Sequence, residues 1–258
     1  MASAVEAELI ARTPCRGICL PSLERVKEIR FLTPDELDRL AGAMPSEYRA
    51  MVYLTGVVGL RWSEVTGLRV GRLDLLRRKL TVTETLADVR GHLEFADVKT
   101  KAARRTLDIP AFLAEMLAVH LATRGVDGRD PSELVFVGAT GAPLRGTHFR
   151  KRVWAPALRA AELDGQGFTF HHLRHSAVGF LIAVNAPPRV IQRRMGHSSI
   201  RVTFDVYGSV LLQVEESVTE SLTDLFAYPR GADVVQAVSE GPGPNEPNPP
   251  DQPLHGVG

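Results

Sequence analysis

The stretch Met195-Gly-His-Ser-Ser-Ile-Arg-Val-Thr-Phe-Asp-Val-Tyr-Gly208 decides how this chain is read. Gly196 suits the C-terminus of one helix and Ser198 the N-cap of the next, which leaves His197 in the tight turn between them. Tyr207 follows ten residues later. A tyrosine near a helix end is ordinarily a packing residue, so by itself it names no chemistry. Working upstream, a helix over 188–195 delivers the turn, and before it stands His171-His-Leu-Arg-His175. His171 and Arg174 are three apart and share a face at a helix start. Backbone N–H groups there favour an anion, an arginine adds a planar fork for two phosphate oxygens, and a histidine adds a proton donor or acceptor near neutral pH. That set suits phosphoryl transfer on a diester, although a surface cap would read the same way. His171 and His175 at i, i+4 are also zinc spacing, but no Glu follows the first His.

Further out, Gly59-Leu60-Arg61-Trp62-Ser63-Glu64 puts an arginine in a turn between apolar helices, where an ion pair with Glu64 is the ordinary explanation. Thr33-Pro34-Asp35-Glu36 is a capping box with proline at the first helical position, and it opens the folded part. Helical patterns run from 34 to about 43, then over 46–58, 63–68, 111–123, 147–162, 172–184, 188–195, 200–205 and 210–226. Between them, 79–83, 92–98 and 105–109 alternate as short strands, with a further extended piece at 134–137. The expected architecture is mainly helical with one small three-stranded antiparallel sheet.

The chain has 258 residues, 44% hydrophobic and 24% charged, which fits a folded core of one large domain or two small ones. Its apolar runs are too short to span a membrane, and the first residues carry no secretory pattern. Cys15 and Cys19 are too few for a disulfide scaffold or a zinc site, so a reducing cytoplasm is expected. The formal charge of +1 averages unlike parts. Residues 229–258 carry one Arg against Asp233, Glu240, Glu246 and Asp251, with seven of the 17 prolines, and read as a disordered tail. Residues 145–207 hold ten Lys/Arg against three acids, and five of the eight histidines. Such a stripe is the footprint of an anionic partner, or simply a solvated basic face.

Each motif alone is weak, but their order is specific. The blocks Thr55-Gly-Val-Val-Gly-Leu-Arg-Trp-Ser-Glu64, Lys99-Thr-Lys-Ala-Ala-Arg-Arg-Thr-Leu-Asp-Ile-Pro110, His171–His175 and Met195–Gly208 together resemble the catalytic domain of the tyrosine recombinases, the phage-type integrases. The resemblance covers roughly 30–226 and implies the DNA breaking-rejoining catalytic fold. It implies that Tyr207 is the nucleophile that becomes a 3′-phosphotyrosine. It gives Arg61 and Arg174 the non-bridging phosphate oxygens, and Lys99 the leaving 5′-oxygen. Alternation puts Lys101 on the same face as Lys99, and the Lys-Thr match favours Lys99. His171 matches the acid–base histidine and His197 the second histidine beside the phosphate; Glu64 and His175 match supporting positions. His172 stands where the family often has Asp, and Ser209 where a His often follows.

The same resemblance implies double-stranded DNA as partner, self-association to a tetramer on two sites, no cofactor and no metal, and a cytoplasmic, nucleoid-associated location. Bottom-up chemistry agrees on cofactors: a phosphotyrosine conserves the bond energy, and two guanidinium groups with a lysine can neutralise the developing charge. The expected layout is a residual helix end and linker over 1–30, the catalytic domain over 31–228 and the tail over 229–258. Family members usually carry a core-binding domain upstream, so a truncated integrase is expected. The rival reading is a non-catalytic DNA-binding remnant.

Overall fold

A computed structural model describes residues 5–11, 30–98, 103–197 and 199. Lys99, Lys101, Tyr207, both cysteines, the helical patterns at 200–205 and 210–226, and the proline-rich tail lie outside the described residues. So does most of the stretch read as a linker before residue 30. Of residues 5–11, only Val5 and Glu6 are helical.

Helix α1, Pro34–Ala43, begins as its capping box requires: Glu36 N–H donates to Thr33 Oγ1 at 3.2 Å, and Thr33 N–H donates to Glu36 Oε2 at 2.9 Å. Its buried Leu37, Leu40 and Ala41 follow the i, i+3, i+4 rhythm of one helix face. Helix α2, Ser46–Tyr53, continues into a π-helical turn, Leu54–Val58, and stops at Gly59 in the left-handed region (φ 84°). A side chain at Gly59 would strain this conformation, and its Cβ would stand 2.4 Å from Met195 Cε. Helix α3, Trp62–Thr66, follows, with Arg61 at its N-cap.

Two separate β units come next. Strands β1, Leu73–Asp74, and β2, Lys79–Val82, form a sheet with β5, Arg105–Asp108, in the order β1-β2-β5, all antiparallel. Leu80, Val82, Arg105 and Leu107 face inward, while Lys79 pairs with Asp108 and Thr81 with Thr106 on the outer face. Strands β3, Glu84–Val89, and β4, His92–Asp97, pair only with each other. They are joined by Arg90-Gly91, both at positive φ, the geometry of a two-residue I′ turn. A three-stranded antiparallel sheet is therefore present, but the run at 92–98, expected as one of its three strands, is not a member of it; Leu73–Asp74 is. It belongs to a hairpin whose first strand, polar Glu84–Val89, carries too little β-branched signal to be noticed. The extended piece at 134–137 contributes one bridge, Arg69 to Leu134.

Helix α4, Ala111–Thr123, matches its expected span to the residue and buries Leu113, Ala114, Leu117, His120 and Leu121. Helix α5, Gly146–Phe149, passes through a second π-helical turn, Arg150–Trp154, into α6, Ala155–Ala160. Helix α7, Phe170–Ala183, packs across the π turn of residues 54–58, and α8, Pro188–Met195, is the last of the described helices. One core joins Leu40, Met51, Leu54, Leu60, Leu117 and Leu173, all fully buried. Each such leucine contributes about 2 kcal/mol of burial.

Candidate active site

The start of α7 is held by aromatic packing and by an unusual cap. The Trp62 ring lies 5.0 Å from both Phe149 and Phe170, so α3, α5 and the first residue of α7 share one cluster. Thr169 is the N-cap of α7, and its N–H donates to His172 Nδ1 at 3.0 Å. His172, at the position where the family often has Asp, thus closes the capping box with an unprotonated ring nitrogen. Burial keeps its pKa below the ordinary histidine value, which preserves that acceptor at neutral pH.

His171 is exposed, one residue into α7, and His175 stands one turn further, their rings perpendicular with centroids 4.7 Å apart. Arg174 between them is 3% exposed. Its Nη1 donates to Gly59 O, and its Nη2 to Met195 O at 2.5 Å. A buried guanidinium therefore ties the end of the π turn to the end of α8. Ser176, fully buried, accepts from Leu32 N–H at 2.8 Å and anchors α7 to the segment before α1.

Helix α8 ends in a Schellman cap: Gly196 is left-handed (φ 62°), His197 N–H donates to Gln192 O, and Gly196 N–H to Arg193 O. This turn presents His197, as expected from Gly196. Two successive carbonyls at the negative end of α8 are met by arginines, Met195 O by Arg174 and Arg194 O by Arg105 Nε at 2.7 Å.

Arg61 makes the expected ion pair. Its Nη1 lies 2.8 Å from Glu64 Oε1, and its backbone N–H donates to Glu64 Oε2 at 2.8 Å. Glu64 is 2% exposed and has a second partner that the sequence did not single out: Arg105 grips both carboxylate oxygens at 2.9 Å. Burial pushes the Glu64 carboxyl up, but hydrogen bonds and charge from Arg105, then Arg61, overcome that and hold its pKa at about 2. Strand alternation was the available signal, because Arg105 falls on the inner face of β5, two residues before buried Leu107 and opposite buried Val82.

Arg174 brings these groups together, tying Gly59, two residues before Arg61, to Met195, two residues before His197. His197 is held down at about 4 by burial and by Arg174, Arg61 and Arg105 together. Burial, His171, His172, Arg174 and His197 hold His175 at about 4 as well. Partial desolvation by the surrounding protein and then Arg174 also lower His171. The imidazoles are neutral at pH 7 inside a field of three arginines that Glu64 offsets only in part. That is a site built for an anion. A cavity of about 590 Å³ opens beside His197, flanked by Arg104, Arg189 and Arg193. Among the described residues, no group of three or more His, Cys, Asp or Glu is placed to hold a metal ion, and no helix is long and apolar enough to cross a membrane.

Residues 30–213 match the sequence pattern of the Phage integrase family, more than half of the chain. The chain belongs to the phage integrase family. Among its relatives, the integrase of Mycobacterium phage L5 is 26% identical over 227 residues, covering 87% of this chain and 60% of that protein. A XerC-like tyrosine recombinase of Caldanaerobacter subterraneus subsp. tengcongensis is 26% identical over 247 residues, covering 86% and 62%. The chain thus spans about three fifths of the length of these relatives. The solved integrase of transposon Tn1549 superposes with a TM-score of 0.65 at 19% identity, over 80% of this chain and 70% of that one. At that identity the likeness is one of fold, mainly helical with a small antiparallel sheet.

Proposed function

We propose that this integrase chain breaks and rejoins double-stranded DNA at specific sites through a covalent 3′-phosphotyrosine. The reading is carried by the Arg174 guanidinium, which joins Gly59 O, two residues before Arg61, to Met195 O, two residues before His197. Tyr207 Oη attacks the scissile phosphorus, the P–O5′ bond breaks, and Lys99 gives its proton to the departing 5′-oxygen. Arg61 and Arg174 bind the non-bridging oxygens as charge gathers on them. His171 handles the proton of the attacking hydroxyl, and His197 donates toward the phosphate. Glu64 and His175 hold these groups in place. Attack by a 5′-hydroxyl on the phosphotyrosine reverses the sequence, so neither a nucleotide cofactor nor a metal is required. Support comes also from the Tn1549 integrase, which was solved in complex with a circular intermediate DNA. Exchange between two sites by several associated copies belongs to the same proposal.

The test is a nicked suicide duplex whose cleaved end diffuses away. The parent chain should give an SDS-stable protein–DNA adduct and Tyr207→Phe should give none, because Phe keeps the ring and removes only the attacking oxygen. An adduct of equal yield from Tyr207→Phe overturns the assignment of the nucleophile.

A further inference from the structure

We propose that Arg105 is a positioning residue of this site, one that keeps Arg61 available to the phosphate and holds the His197 turn against it. The inference rests on the reading of the site as a phosphoryl-transfer centre.

Its basis is how the hydrogen bonds of one buried carboxylate are shared. Glu64 accepts four, two at each oxygen: Arg61 Nη1 and Arg105 Nη1 at Oε1, and Arg61 N–H and Arg105 Nη2 at Oε2. Four is what a carboxylate can take. Arg105 is itself buried, whereas the Arg61 side chain is 37% exposed and gives Glu64 only its Nη1. Glu64 is thus neutralised mainly from the core side. Without Arg105, two acceptor positions of a buried anion would fall vacant, and the nearest cation able to fill them is Arg61. Its second nitrogen would turn onto the carboxylate and away from the substrate. The local charge would fall as well, since Arg61, Arg105 and Glu64 together carry a net positive charge and Arg61 with Glu64 alone carries none.

Arg105 reaches two further pieces of the site. Its Nε donates to Arg194 O at 2.7 Å, three residues before His197. Its Nη1 donates to Ala103 O at 3.1 Å, on the chain that enters β5 from the Lys99–Lys101 segment. One guanidinium therefore joins the Arg61 turn, the His197 turn and the approach to the lysine. Only a fork with several donors at fixed angles can do this, so lysine is a poor substitute.

The experiment is single-turnover cleavage of the suicide duplex at saturating DNA by the parent chain, Arg105→Met and Arg105→Lys, reading rate constant and final amplitude separately. A purely structural role lowers the amplitude, because fewer molecules are folded, and leaves the rate constant of the rest unchanged. Positioning lowers the rate constant. The expected result is a rate constant ~100-fold lower in Arg105→Met, the scale of losing one aligned donor. The loss in Arg105→Lys, which keeps the charge and so covers any failure of the Met variant to fold, should be about tenfold. DNA affinity should change little in both. An unchanged rate constant in Arg105→Lys or Arg105→Met, with or without lost amplitude, overturns the proposal. A parent chain that forms no adduct overturns instead the phosphoryl-transfer reading on which it stands.

Discussion

Replacing Glu64 with glutamine removes a charge and leaves the shape almost unchanged, which makes it the cleanest perturbation of this site. In the folded chain the carboxyl is held at about 2, against 4.5 when unpaired. That gap corresponds to about 3 kcal/mol of stability. Because the folded value is the lower one, the contribution is fully present above pH 4.5 and is lost as pH falls toward 2. Glutamine forfeits it at every pH. It also turns an NH₂ toward donors that Glu64 now accepts from, either Arg61 or Arg105, and leaves the Arg105 charge buried without an anion. The expected cost is about 3–5 kcal/mol at pH 7, from urea denaturation followed by tryptophan fluorescence. The difference between parent and Glu64→Gln should shrink as pH is lowered from 4.5, because the parent protonates its own carboxyl. A cost below about 1 kcal/mol at pH 7, or a difference that does not depend on pH, would refute the account of Glu64 as a buried, saturated anion.

Four further outcomes are expected. Gly59→Ala should cost about 2 kcal/mol in urea denaturation, from left-handed backbone and crowding of the Met195 side chain. Holding His175 and His197 at about 4 means that the unfolded chain takes up protons first. Stability should therefore be complete above pH 6.5 and fall by on the order of 2 kcal/mol between there and pH 4, solvent screening included, and His175→Asn should flatten that slope. Arg174→Lys should still bind DNA yet cleave the suicide duplex two to three orders of magnitude more slowly (about 3 kcal/mol), as a point charge cannot hold Gly59 O and Met195 O as the fork does; equal cleavage would remove Arg174 from the chemistry. A 5′-bridging phosphorothiolate, whose leaving group needs no proton, should restore cleavage to Lys99→Ala; rescue of Lys101→Ala instead would transfer the role of acid.

Local signals were legible in proportion to how local their causes are. The cap at Thr33, the span of α4 and the glycine stop of α8 follow from neighbours within four residues, and the structure has them where the pattern puts them. Strand pairing does not have that property. Alternation marks 92–98 as extended, but its partner is chosen by the Arg90-Gly91 turn, and only a reading of that turn would have assigned it to Glu84–Val89. Around the site, the Arg61–Glu64 pair was visible because its members are three apart. Arg105 was not, because its meaning comes from a carboxylate 41 residues earlier and a carbonyl 89 residues later. His172 was legible as a departure from the family pattern, and only the geometry of Thr169 turns that departure into a working cap.

The π-helical turn at Leu54–Val58 has a consequence for how the protein tolerates change. Such a turn is an α-helix carrying one residue in excess, so its geometry depends on the number of residues more than on their kind. Loss of a single residue would let the segment relax to α spacing. The lost residue and the tightened turn would then nearly cancel, leaving Gly59 close to its place and its carbonyl against Arg174. Apolar exchanges within 54–58 alter packing by a methyl or two and one deletion is absorbed by the turn, whereas a second deletion would rotate Gly59 about 100° and shift it about 1.5 Å, away from a guanidinium more than a hundred residues on in the chain. The tolerance lies in a spare residue, held in a place where no side chain advertises it.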